Sequence, residues 1–113
     1  MEREFDLGVV ISIASGRTLA PYYEIQKCLK YLTGRPETFT GEIPRGEVFA
    51  AKAYIINKYP QINGVGLDAN VANEAEIREF VNKQKSIYGN SLSLSPMVNT
   101  IAPNVAEDNG LEM

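Results

Sequence analysis

Arg17 and Arg45 are the residues whose placement most suggests chemistry, because each stands where a helix is about to begin. Arg17 sits in Ser15-Gly16-Arg17-Thr18, just ahead of a segment opened by Pro21, and Arg45 follows Pro44 in Ile43-Pro44-Arg45-Gly46. A helix start carries unsatisfied N–H groups and a partial positive charge, so a cation there is repelled by about 0.3–1 kcal/mol. An anion held between the guanidinium and the amides reverses that sign. Phosphate or carboxylate binding is the chemistry this arrangement suits, and the rigid fork of arginine matches it better than lysine would. Each arginine also has a plainer reading, as a surface cation beside a carboxylate: Glu24 for Arg17, Glu42 or Glu47 for Arg45.

The neighbours of Arg17 extend the first reading. Gly16 lets a backbone approach a ligand closely. Tyr22 and Tyr23 offer aromatic faces of the kind on which nucleobases stack, or else one packs inside and the other coats the surface. The candidate ligand-binding set is Ser15, Gly16, Arg17, Thr18, Tyr22, Tyr23 and Arg45. Gly16-Arg17-Thr18 is not a Walker loop, since Ile11 stands where its first glycine belongs and Arg replaces Lys. No catalytic residue, metal ligand or cofactor is assigned. Cys28 falls on the apolar side of its segment as an inert core thiol, and Asp68, Glu74 and Glu76 have no histidine or cysteine to complete a metal site.

The elements that must position these residues follow from apolar spacing. Residues 5–14 alternate as a strand, with Leu7, Val9, Ile11 and Ile13 on one face and the smaller Val10, Ser12 and Ala14 on the other. Residues 21–33 carry Ile25, Cys28, Leu29 and Leu32 at helical spacing, stopped by Gly34 and Pro36. The connection at 35–43 has room for a short extended piece at Thr38–Ile43. Pro44 opens a second helix with a stripe of Val48, Ala51, Lys52, Ile55, Ile56 and Tyr59, closed by Pro60. Asn63-Gly64-Val65-Gly66 is a turn, and Asn73 with Glu76 caps a third helix through Ile77, Phe80, Val81, Gln84 and Tyr88, ending at Gly89. Leu92 and Leu94 alternate with serines as an edge strand before Pro96. The expected fold is α+β: three helices on a small sheet whose first strand is central. Residues 1–96 form the domain, and 97–113 are a flexible acidic tail.

Composition narrows the function classes. With 113 residues the chain fits one domain. A net charge of -3 argues against a broad surface for long nucleic acid or anionic membrane. Histidine is absent, which removes the commonest general base and metal ligand. One cysteine, no apolar run of about 20 residues and a charged beginning point to a soluble, cytoplasmic chain.

From Leu7 to Pro60 the order Leu7-Gly8-Val9-Val10, Ser12, Gly16-Arg17-Thr18-Leu19, Glu24-Ile25, Leu29-Lys30-Tyr31-Leu32-Thr33-Gly34, Ile43-Pro44-Arg45 and Tyr59-Pro60 resembles a family of small uncharacterised bacteriophage and prophage proteins. The resemblance implies a phage-encoded accessory protein and transfers no chemistry to individual residues. By analogy with phage proteins that soak up cyclic nucleotide immune signals, the expected function is non-enzymatic sequestration of a phosphorylated, nucleotide-like host signal in the host cytoplasm. Pockets between the subunits of a homo-oligomer are expected to hold it. The alternative is an adaptor or inhibitor that binds a host protein.

Overall fold

The structure, a computed structural model, describes residues 2–67 and 71–97. Its centre is a helix, α1 (Leu7–Ser15), in which all nine residues are buried. Around it lie α2 (Tyr22–Leu32), α3 (Arg45–Lys58) and α4 (Glu74–Tyr88). A two-stranded antiparallel sheet, β1 (Arg3–Asp6) with β2 (Ser91–Leu94), closes one side. The α+β class expected from the sequence is the class found, with one element exchanged: residues 7–14 are helical, and the central element is α1 rather than a strand. Only residues 3–6 pair in the sheet, in the register Arg3 to Leu94 through Asp6 to Ser91.

The physical reason for that exchange is local. Asp6 accepts the Gly8 amide through Oδ2 at 2.9 Å and caps the helix, and Gly16 ends it in the left-handed conformation at φ 78°. Between them the sequence is apolar on every side. A run of that kind fits the middle of a helical layer as well as a buried strand. Val9, Val10, Ile11 and Ile13 are β-branched and poor helix formers, so packing from every side holds the helix in place of propensity.

The other helices follow their spacing. α2 buries Ile25, Cys28, Leu29 and Leu32, and Gly34 follows it with φ 78°. α3 begins after Pro44 and buries Ala51 and Ile55. Asn73 Oδ1 accepts the Glu76 amide at 2.9 Å, while Glu76 Oε1 accepts from Ala72 at 2.6 Å, so the cap is reciprocal but reaches one residue further back. No strand forms over 38–43.

The outer edge of β2 is closed by tyrosines instead of a third strand. Tyr59 donates to the Ser93 carbonyl at 2.8 Å and accepts its amide at 3.2 Å, and Tyr54 accepts the Ser95 amide at 2.8 Å. Tyr31 donates to the Leu94 carbonyl at 3.2 Å. The Tyr59 and Tyr54 hydroxyls satisfy backbone groups that an open edge would leave available to another chain, while the Leu94 carbonyl bonded by Tyr31 lies on the β1 side of the strand. Met97, placed in the tail by sequence, is buried, and its amide donates to the Leu32 carbonyl at 2.7 Å. The rest of the expected tail, 98–113, lies outside the described residues.

Candidate functional site

The segment after α1 places most of the sequence-derived candidates. Ser15 is buried at the end of α1, and its hydroxyl accepts the Arg17 amide at 3.2 Å. Gly16 turns the chain. Arg17 then reaches across to the turn that follows α3, where its Nη1 donates to the carbonyls of Gly66 at 3.1 Å and Leu67 at 3.3 Å. Gly66 is buried there at φ 95°, and a Cβ on it would lie 3.2–3.3 Å from Leu19, Ile11 and Ser15. The guanidinium thus clasps a turn pressed against α1, and neither Glu24 nor a helix amide is its contact in these bonds.

Tyr22 and Tyr23 are both 67% exposed, so neither enters the core. A hydrogen bond to Glu24 raises the Tyr23 hydroxyl above its ordinary pKa. Arg45 is exposed at the start of α3 and shares a small hollow with Glu42. Glu47, its other expected neighbour, is bonded by both its oxygens to Arg35 beyond the end of α2, the Nη2 contact being 3.2 Å. Arg17 therefore precedes α2 while Arg45 accompanies the ion pair that follows it. About 16 Å of helix separates these two positions along the chain, and they belong to opposite ends of α2.

Thr18 belongs to a different assembly. The loop Thr18–Pro21 forms one wall of a groove of about 490 Å³, and α4 forms the other. Its floor is Leu19, Ile77 and Val81. The floor closes tightly because Gly8 lacks a side chain: a Cβ there would stand 3.2 Å from Val81 Cγ1 and 3.3 Å from the Leu19 carbonyl. Glu74, Arg78, Asn82 and Lys85 recur at i, i+4, i+8 and i+11 along α4 and edge the groove with one acid, one amide and two bases. Lys85 Nζ meets Asp6 Oδ1 at 2.6 Å, so Asp6 has both oxygens engaged, one by the α1 amide and one by lysine. Arg78 makes no ion pair among the described residues.

The start of α2 also opens on this groove through Pro21. Asp6 and Asn73 cap α1 and α4 with side chains, whereas α2 has no side-chain cap. The Glu24 and Ile25 amides of its first turn bond back to the Pro21 carbonyl at 3.0 and 3.2 Å, and Pro21 is the residue of this helix start that lines the groove. Volume, apolar floor and a few convergent polar groups are the ordinary features of a small-ligand site. Arg78 and Lys85 were not among the residues singled out by sequence. Their signal was present as a pair seven residues apart, but it is the same signal that any solvated helix face gives.

Cys28 is buried, and burial pushes its thiol up to about 12. Among the described residues no cluster of His, Cys, Asp or Glu has the arrangement of a metal site, and no helix is long and apolar enough to cross a membrane. Comparison with protein-family models, with curated proteins and with solved structures found no match to this chain.

Proposed function

We propose that this chain is a non-enzymatic binding protein that holds a phosphorylated, nucleotide-like ligand in the groove between the 18–21 loop and α4. The observation that carries this reading is Arg78, which has no ion pair among the described residues, at the edge of a groove floored by Leu19, Ile77 and Val81. Anionic oxygens of the ligand pair with the Arg78 guanidinium, and a flat apolar ring lies on the floor. Following the resemblance to phage proteins, the biological role proposed is sequestration of a cyclic oligonucleotide immune signal of the host.

Calorimetric titration with a cyclic dinucleotide and with a cyclic trinucleotide tests this. Saturable binding is expected, with the ligand recovered intact after heat release. Arg78→Ala should weaken it about tenfold, the worth of one charge-assisted hydrogen bond. Arg45→Ala, at the far end of α2, should leave it unchanged. Absence of binding, or binding indifferent to Arg78, rules the reading out.

A further inference from the structure

The outer side of α3 carries a second, unrelated surface. Arg45, Phe49, Lys52 and Ile56 recur at i, i+4, i+7 and i+11, which places them on one line along a helix of 14 residues. Phe49 is 63% exposed. Phe49, Lys52, Ala53, Ile56, Pro60 and Met97 line an open, shallow groove of about 920 Å³. α3 is therefore apolar toward the core and, through the exposed Phe49 and Ala53, on its outer side as well, with the half-buried Ile56 packed against the core beside them. An apolar stripe of this kind marks a protein interaction site more often than a scattered exposed side chain does.

Charge on α3 says what kind of partner fits. Glu47 is its one acidic residue and is committed to Arg35, and Lys58 is committed to Glu2. Arg45 and Lys52 form no ion pair among the described residues, and both lie on the outer stripe. Glu42 shares a hollow with Arg45 at the helix start. An otherwise acidic chain thus presents a cationic, apolar ridge along one helix. The small side chains of Ala50 and Ala53 beside Phe49 let a second helix approach the ridge closely.

We infer that the outer face of α3 docks an acidic amphipathic helix of a partner protein. Apolar side chains of the partner pack on Phe49, Ala53 and Ile56, and its carboxylates meet Arg45 and Lys52. This surface is separate from the ligand groove and stands independently of the function proposed for that groove.

The test uses the full chain and two synthetic fluorescent helical peptides with the same leucine stripe, one flanked by glutamates and the other by lysines. Fluorescence anisotropy should show the glutamate peptide binding at least about tenfold more tightly than its lysine twin, as charge complementarity at an interface requires. Phe49→Ser, at an exposed position that the core does not need, should cost about tenfold or more in that affinity. Arg45→Glu with Lys52→Glu should reverse the peptide preference. Equal binding of the two peptides, or binding indifferent to Phe49, overturns the inference. So does sedimentation showing a dimer that Phe49→Ser dissociates, since the face then receives a second copy. Displacement of the glutamate peptide by a synthetic peptide of residues 98–113 at lower concentration also overturns it, because the chain then covers its own face.

Discussion

The Ser12 hydroxyl joins α1 to the 18–21 loop that walls the groove beside α4: it accepts the Leu19 amide at 2.9 Å and donates to the Gly8 carbonyl at 2.6 Å. Both Ser12 and Leu19 are buried. One small side chain therefore satisfies a loop amide that water cannot reach, and it fixes Leu19 as the floor between α1 and α4.

Ser12→Ala leaves the Leu19 amide buried without an acceptor. The expected loss is about 1–3 kcal/mol, the cost of desolvating one unpaired backbone donor. Urea denaturation of the variant beside the parent measures it. A loss near zero would mean that the loop relaxes to another acceptor.

Arg17 and Gly66 act together at the opposite wall of that loop. Gly66→Ala forces a side chain into a left-handed position already crowded by Ile11, Ser15 and Leu19, and should cost more than about 1 kcal/mol. Arg17→Ala releases the turn and should cost about 1 kcal/mol, the net worth of an ordinary hydrogen bond. The sign is informative, because a cation that merely opposed a helix start would stabilise the fold when removed. Chemical denaturation of the two single variants and the double variant shows whether their effects are coupled.

Cys28 offers a chemical probe of packing. With its thiol pushed up to about 12 by burial, almost no thiolate exists at neutral pH in the native chain. Iodoacetamide is expected to leave the folded protein unmodified over hours and to alkylate it promptly in urea. Fast alkylation without denaturant would show that α2 opens locally.

The Arg35–Glu47 pair predicts a dependence on acidity. Its hydrogen bonds and charge hold the Glu47 carboxyl below its ordinary 4.5, against a smaller opposing effect of burial. A carboxylate depressed in the folded state stabilises it above the unfolded value and loses that contribution as pH falls through the native one. Glu47→Gln should accordingly melt below the parent at neutral pH, and the gap should close in strong acid. Because the pair is partly exposed, added salt should narrow the gap as well.

The parts of the fold that are legible in the sequence are those whose signals are local. Ile25, Cys28, Leu29 and Leu32 form a stripe that needs no knowledge of the rest of the chain, and Pro44, Asn73, Gly34 and Gly89 punctuate their helices within a turn of the observed ends. α1 was not legible because its apolar pattern has no polar side to give the period; only the capping aspartate before it and the glycine after it distinguish helix from strand. The partner of Arg17 was hidden for another reason. Backbone carbonyls 49 and 50 residues away carry no side-chain identity that a sequence could display. The groove was half visible, through Thr18, while Arg78 and Lys85 acquire meaning only when α4 is laid against the 18–21 loop.

The complete enclosure of α1 has a consequence for how the molecule opens. A helix with four β-branched residues and a glycine among its nine, covered by three other helices and a sheet, has no surface from which to fray, and little propensity to survive once its neighbours depart. Its amides should exchange with deuterium together, at the rate set by global unfolding, whereas α4, which buries only Val81, is free to exchange through smaller openings. The α4 side of the groove, Ile77 and Val81 included, would then open while Leu19, held by the Ser12 hydroxyl of α1, stays in place, so the groove widens without the core being disturbed.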